Sequence, residues 1–260
     1  MSVDWDEVNR ALYPIKDYED CCQRWRESFD YPFVRETFDF TVPAIIRYTR
    51  LVLGGDPRGR YTGYVSMLER TFTKLHEAGV QTVTELMARI ETPERMEAFC
   101  TQSGVRAQDI AAALKYLIYW CIPMKKLLSG LVGDNPQMRD AIKVLRGLGV
   151  RTNLDLLQQG IAAAGRRELA DASGLPEEVI TELVNVADLS RMPWASKATI
   201  SNIMGAGYGS LARLADADPE QLYADFFQYG RAIGKNLKLG NEIESSHRIA
   251  KVVPVLLQTD

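Results

Sequence analysis

The sequence predicts an all-α fold, and three observations lead to that prediction. Almost every segment after Tyr61 spaces its apolar residues with the period of an α-helix. No run of alternating β-branched residues is long enough to predict a sheet. The third observation is an internal repeat, because residues 75–123 align without a gap with residues 145–193, seventy positions further on.

The N-terminal region, residues 1–60, differs from the rest of the chain. It is dense in aromatic residues, and Pro14, Pro32 and Pro43 divide it into short pieces because proline cannot continue a helix beyond its first turn. Helices are predicted over 4–12, 17–29 and 41–53, the last with Thr41 as its N-cap. The glycine-rich residues 54–59 predict a linker. We interpret residues 1–60 as a helical cap that covers the open end of a helical stack.

From residue 61 onward the pattern predicts helices that Gly, Pro and Ser/Thr separate. A stripe of apolar residues from Tyr64 to Leu75 predicts the first of them. The others are predicted from residue 83 and over 93–102, 107–121, 136–148, 153–159, 163–172, 176–189, 196–204, 210–215, 219–230 and 241–255. We expect two units, at 61–135 and 136–260.

The repeated positions hold residue types that set turns and helix faces. Identical residues in the first copy are Leu75, Gly79, Val80, Thr82, Leu86, Ser103, Gly104, Ile110 and Pro123. A third, shorter copy begins at Ala206. In each copy we expect a glycine just past one helix and a hydroxyl N-cap on the next. The pairs are Gly79 with Thr82, Gly149 with Thr152, and Gly207 with Ser210.

The residue three positions after the N-cap differs between the first two copies. Glu85 follows Thr82 at the spacing of a capping box. At the same place after Thr152 the sequence has Asp155, whose side chain is shorter. We therefore expect the second box to be the weaker one.

Composition indicates a soluble cytoplasmic protein. The 260 residues carry a net charge of −3, and the four cysteines have no zinc-type spacing, so we interpret them as reduced, buried thiols. The acidic start has no secretory signature. Residues 111–132 are apolar, but Lys115 and Pro123 interrupt them before the roughly 20 residues that a membrane span needs. No membrane contact is expected.

The region before Leu214 resembles a helix-hairpin-helix element. Residues 192–197 (MPWASK) open a helix, and residues 207–210 (GYGS) close it fourteen positions after the proline. With Asp188 and Leu189 just ahead of the hairpin, the paired segments look like an uncharacterised family of bacterial helical proteins derived from helix-hairpin-helix repeats. The resemblance covers about residues 61–257 and implies tandem helix-hairpin-helix-like units.

Departures from this family pattern bear on function. In DNA-binding hairpins, two glycines let backbone N–H groups approach a phosphate closely. Those positions hold Trp194 and Ser196 in one hairpin and Met124 and Lys126 in the other. Trp194 and Met124 fit burial or contact with a protein partner better than a phosphate cradle. The substitutions therefore favour protein binding over DNA binding.

Basic residues nevertheless keep nucleic-acid binding open. The candidates for phosphate contacts are Arg58, Arg60, Lys125, Lys126 and Lys197. The alternative is that these are solvated surface charges balanced by neighbouring acids, which the acidic net charge of the chain favours.

Trp25 is a candidate contact of another kind. It lies in the aromatic-rich region between Arg24 and Arg26. Aromatic residues bury a large area, so packing in the core is one interpretation. The other is an exposed aromatic patch that binds a partner, because Trp, Tyr and Arg are enriched at interfaces.

The sequence offers little for catalysis. Its two histidines, His76 and His247, have no nucleophile or carboxylate at motif spacing, and no phosphate-binding loop, dinucleotide fingerprint or metal-ligand spacing is present. We therefore expect a non-enzymatic interaction module, without cofactor or metal, that binds protein or associates with itself. The alternative function is non-specific nucleic-acid binding through the hairpin lysines.

Overall fold

The computed structural model describes residues 3–56, 59–133, 135–193, 195–237 and 243–258. Within these ranges the chain forms sixteen α-helices and no β-strand, which confirms the all-α prediction. The helices are α1 (Trp5–Leu12), α2 (Tyr18–Phe29), α3 (Pro32–Phe38), α4 (Val42–Thr49), α5 (Thr62–Glu77), α6 (Val83–Ile90), α7 (Pro93–Ser103), α8 (Ala107–Tyr116), α9 (Pro136–Gly147), α10 (Asn153–Gly160), α11 (Ala163–Ser173), α12 (Glu177–Leu189), α13 (Lys197–Gly205), α14 (Leu211–Ala215), α15 (Pro219–Ala232) and α16 (Ile243–Ala250). No helix in these ranges is both long and apolar enough to cross a membrane.

The helices differ from the sequence prediction in three ways: one additional helix, two changes of helix geometry and one earlier helix end. Helix α3 was not predicted. The helices predicted over 41–53 and 107–121 each change from α to π geometry, at Arg50–Gly54 and Leu117–Cys121. Helix α16 ends at Ala250 rather than at residue 255. Pro254 has no N–H to donate to the carbonyl of Ala250, four residues earlier, so the helix cannot continue through it.

The same succession of helices occurs in both copies of the repeat. Helices α6, α7 and α8 begin at Val83, Pro93 and Ala107, and α10, α11 and α12 begin seventy residues later. Gly79 and Gly149 follow helix ends with φ of 84° and 85°, and Gly207 does so with φ of 97°. The expected turn glycines are therefore confirmed.

The hydroxyl caps are also confirmed. Thr82 Oγ1 accepts from the N–H of Glu85 at 3.3 Å, and Thr152 Oγ1 accepts from the N–H of Asp155 at 3.2 Å. Ser210 caps α14 in the same way. The expected ranking of the two capping boxes is wrong. Asp155 accepts from the N–H of Thr152 at 2.8 Å and completes its box, whereas the longer Glu85 side chain reaches the N–H of Gln81.

A pair of glycine substitutions tests the turn after α9. Gly149 and Gly147 both have open space where a Cβ would stand, but only Gly149 has a positive φ. Gly149→Ala is expected to lower the free energy of unfolding by about 1–2 kcal/mol, because an L-residue is strained there. Gly147→Ala, inside α9, is expected to stabilise by about 0.5–1 kcal/mol. Urea unfolding measures both, and equal effects would contradict the expected role of Gly149.

The chain divides into two compact units, Met1–Met124 and Lys125–Asp260. In the first, α1 packs on α8 and α4 packs on α5, so residues 1–60 belong to the same compact unit as the helices that follow them. In the second, α10 packs on α11 and α12, and α14 packs on α16. The sequence instead suggests three parts with boundaries at 60 and 135.

Candidate functional site

Two short segments of the second unit lie side by side before α9 and before α10. The N–H of Leu128 donates to the carbonyl of Arg151 at 3.0 Å, and the N–H of Asn153 donates to the carbonyl of Lys126 at 2.9 Å. Residues 126–128 therefore lie antiparallel to residues 151–153. The turn at Gly149 brings residue 151 back from the end of α9 to this position.

A cavity of about 430 Å³ lies at this pairing. We name it the basic pocket and define it by Leu127, Ser129, Arg139, Ile142, Lys143, Arg146 and Arg151. Arg139, Lys143 and Arg146 lie four and then three residues apart, so they share one face of α9. The volume is within the range of pockets that take a small ligand or the side chains of a bound segment.

Positive charge dominates around the basic pocket. Residues 125–152 contain six basic and two acidic residues, in a chain whose net charge is −3. The ammonium of Lys143 lies 2.7 Å from the carboxylate of Asp140, and both side chains are largely exposed, so this pair screens the pocket weakly. The carboxylate of Asp155 accepts from the backbone N–H groups of Arg151 and Thr152. The pocket thus presents an excess of cations.

Apolar side chains lie among these cations. Ile142 lines the pocket, and Leu127 lines it while remaining 64% exposed. Val144 and Leu148, on the same helix and just after it, are also among the exposed large apolar residues. Exposed apolar groups beside charged ones are typical of surfaces that bind another molecule.

Lys126, predicted to contact phosphate, is instead bound inside the second unit. Its Nζ donates to the carbonyl of Ser190 at 2.6 Å, and its N–H donates to Oδ1 of Asn153 at 2.7 Å. Asn153 also donates to Oγ of Ser190 at 3.0 Å. Burial lowers the pKa of Lys126 to about 8. The ammonium therefore joins two parts of the unit and does not point to a ligand.

Trp25 is buried in the first unit. Its side chain is 1% exposed and stacks on Phe29, with ring centroids 5.8 Å apart. It also lines a cavity of about 200 Å³ with Arg26 and Glu91. Its Nε1 is buried without a hydrogen-bond partner. Of the two interpretations, core packing describes this residue, and it offers no exposed aromatic patch.

Arg60 and Met124, two further predicted residues of the first unit, have partners within that unit. The Nε of Arg60 lies 2.7 Å from the carboxylate of the buried Asp56, and its guanidinium lies 5.6 Å from the ring centroid of Tyr61. Sδ of the partly buried Met124 accepts from Oγ of Ser28 at 3.8 Å. The predicted residue Arg58 lies outside the described residues.

Two predicted residues of the second unit are exposed. Lys125 precedes the paired segment, and Lys197 is the first residue of α13. Neither lines the basic pocket. Trp194 lies outside the described part of the chain.

The four cations of the basic pocket were not singled out from the sequence. For Arg139, Lys143 and Arg146 a signal was present, since their spacing places them on one face of the predicted helix 136–148. No such signal in the sequence marks Arg151. Its position depends on the turn at Gly149 and on the pairing with residues 126–128, which no local pattern specifies.

The cysteines are poor nucleophiles in this structure. All four are free, and burial raises the pKa of Cys21, Cys22 and Cys121 and raises that of Cys100 to about 11. A thiol with a raised pKa holds little reactive thiolate at neutral pH. Among the described residues, no group of three or more His, Cys, Asp or Glu side chains is placed to hold a metal ion.

Fold and site together define an all-helical protein with a candidate anion-binding pocket in its second unit. Residues 136–244 match the model of a family described as "Domain of unknown function (DUF4332)". This match contains the four cations of the basic pocket, whereas Leu127 and Ser129 precede it. Comparisons with curated proteins and with solved structures gave no match.

Proposed function

We propose that this protein is a non-enzymatic interaction module that binds an acidic segment of a partner protein at the basic pocket. The observation that carries the proposal is the combination of four cations with apolar lining in one cavity of the second unit. An acidic segment with an apolar side chain matches both features. Complementary charge guides association, and a buried apolar anchor supplies much of the affinity.

Non-specific nucleic-acid binding is the second candidate, because the same cations suit phosphate groups. The exposed apolar side chain of Leu127 favours a protein partner, since a phosphate backbone offers it no apolar contact. Lys126, one of the hairpin lysines, donates its ammonium hydrogen bond to the carbonyl of Ser190. The suppressed thiols support a function without covalent catalysis.

We also propose that the chain derives from helix-hairpin-helix repeats, as in the uncharacterised family of bacterial helical proteins that it resembles. Helices α12 and α13 flank the chain between Ser190 and Ser196, and Gly207 and Ser210 follow at the spacing of the motif. Loss of the hairpin glycines fits a unit that keeps the helices and no longer binds phosphate there.

A cytoplasmic location is also proposed. The four cysteines are free, and three of them are buried. Free thiols are typical of reducing compartments.

The function is tested with three labelled probes: a peptide of alternating Glu and Leu, a peptide of alternating Glu and Ser, and a DNA duplex of generic sequence. We expect the Glu/Leu peptide to bind most tightly in fluorescence anisotropy, because it alone supplies both charge and apolar side chains. Tightest binding of the duplex, with a steep dependence on salt, would support the second candidate instead.

Charge reversal in the basic pocket is expected to weaken binding of the Glu/Leu peptide. Arg146→Glu should raise the Kd about tenfold, which is about 1.4 kcal/mol. The matched control is Arg231→Glu, which makes the same charge change at an exposed residue of α15 outside the pocket. An equal rise in Kd in both variants would show that binding depends only on the overall charge of the protein, and it would contradict binding at the basic pocket.

Leu127→Ser separates the two candidate functions. The side chain is largely exposed, so its loss should leave thermal stability nearly unchanged. If a protein segment binds, this variant should weaken the Glu/Leu peptide and leave the duplex unaffected. Unchanged binding of the peptide would show that the apolar lining has no part in recognition.

A further inference from the structure

The C-terminal segment, residues 251–258, is held on the second unit through its main chain. Nη1 of Arg191 donates to the carbonyl of Pro254 at 3.0 Å, and Nη2 of Arg166 donates to the carbonyl of Gln258 at 3.2 Å. The N–H of Gln258 donates to the carbonyl of Ile161 at 3.0 Å. All three bonds use backbone atoms of the segment, so another peptide in the same register can make them equally well.

Both arginines are almost fully buried. Besides the segment, Arg166 donates to the carbonyls of Gly160 and Ile161, and Arg191 pairs with the buried carboxylate of Asp188. Burying such groups is costly unless every one has a partner.

The first copy of the repeat shows that its helices do not require these charges. Seventy positions before Arg166, Asp188 and Arg191 stand Met96, Ile118 and Cys121, all of them buried. The charged set is therefore specific to the second copy. In the second copy, Arg166 and Arg191 donate hydrogen bonds to backbone carbonyls of the C-terminal segment.

The segment does not fill the site in which it lies. A cavity of about 380 Å³ remains beside it, lined by Val255, Leu257 and Gln258 on one side and by residues such as Val184 and Leu211 on the other. Val255 is 66% exposed. Core elements pack without such space. The segment thus resembles a bound peptide more than a part of the core.

We propose that this groove is a peptide-binding site whose resident occupant is the chain's own C-terminal segment. Its external ligand is a short peptide of a partner protein with branched apolar side chains, which displaces residues 254–258. The buried arginines bind its carbonyls, and the cavity takes its apolar side chains. Because the resident segment is tethered, its effective concentration is high and it masks the site until a competitor is abundant. This site shares no lining residue with the basic pocket.

The probe for the test is a labelled peptide with the sequence of residues 251–258, KVVPVLLQ. It is titrated into the 260-residue chain and into its Leu257→Asp variant, in which a carboxylate weakens binding of the resident segment. We expect the variant to bind the probe at least about tenfold more tightly, because the tethered competitor is lost. Adding Arg166→Met should abolish this binding, while Arg167→Met, at the exposed neighbouring residue, should not.

Equal binding of the probe to wild type and variant, or no binding to a variant whose circular dichroism is unchanged, would overturn the proposal. Wild-type protein supplies a second measurement that does not depend on any variant folding. Excess unlabelled probe should accelerate hydrogen exchange at the amide of Gln258, and an unchanged rate would count equally against it. Concentration-dependent dimers with exchanged segments, seen by sedimentation, would assign the groove to a second copy and overturn the assignment to a partner peptide.

Discussion

Replacing Trp25 with alanine is expected to lower the free energy of unfolding by about 3–5 kcal/mol, as for other large buried aromatic residues. The indole is 1% exposed and stacks on Phe29 in the first unit, so alanine would leave a large cavity. Urea unfolding followed by circular dichroism measures the loss. The basic pocket of the second unit contains no residue of this region, so the variant should bind the Glu/Leu peptide normally wherever it remains folded.

Trp25→Phe is the matched control. It keeps an aromatic ring and removes Nε1, which is buried without a hydrogen-bond partner. No bond is lost with that donor, so the cost should stay well below that of alanine. A large loss of partner binding with little loss of stability in Trp25→Ala would restore the exposed-patch interpretation that the burial of Trp25 argues against.

Local chemistry made much of the fold predictable from the sequence. The turn glycine and the hydroxyl cap recur together, so pairs such as Gly149 with Thr152 mark the end of one helix and the start of the next. Helix α3 is too short to show a period and has no side-chain N-cap to mark its start, whereas the still shorter α14 is marked by its Ser210 cap. The predicted ranking of the two capping boxes is wrong because side-chain length decides which N–H group the carboxylate accepts from. The shorter Asp155 side chain accepts from the N–H of the N-cap residue, whereas the longer Glu85 side chain accepts from the N–H of the residue before the N-cap.

The candidate site was less predictable than the fold. The sequence predicts Lys126 as a phosphate contact, with a solvated surface charge as the alternative, but the carbonyl of Ser190, sixty-four residues away in the sequence, accepts its hydrogen bond. Arg151 belongs to the basic pocket only through a turn and a backbone pairing. Tertiary contacts of this kind leave no periodic signal, and only the face shared by Arg139, Lys143 and Arg146 could be found from spacing.

Replacing Arg191 with methionine is expected to cost about 3–5 kcal/mol, the usual effect of removing one partner of a buried ion pair. Nε of Arg191 lies 2.8 Å from Oδ1 of Asp188, and both side chains are almost fully buried. The variant would leave the carboxyl without its cation, and the carbonyl of Pro254 without its donor. Chemical unfolding at neutral pH measures the effect.

The double variant Asp188→Ile with Arg191→Met is the control that separates charge from packing. It removes both charges and resembles the first copy, in which Ile118 and Cys121 stand at the equivalent positions. Buried pairs replaced by apolar residues often lose little stability. We expect much of the single-variant loss to be recovered, with about 2 kcal/mol remaining for the lost bonds to the carbonyl of Pro254 and from the N–H of Leu211. A double variant as unstable as the single one would show that packing, not the unpaired carboxyl, causes the loss.

The cost of Arg191→Met should also depend on pH. Burial raises the pKa of Asp188, while Arg191 and a backbone N–H opposes that rise, so removal of the arginine should raise the pKa further. Between the unfolded carboxyl pKa of about 3.9 and the higher folded pKa, the folded variant holds a proton that the unfolded chain has released. A carboxyl with a raised pKa in the folded state loses stability as pH rises from the unfolded pKa to the folded one. The difference in unfolding free energy from wild type should therefore be smaller near pH 4 than near pH 7, and a constant difference would contradict an unpaired carboxyl as its cause.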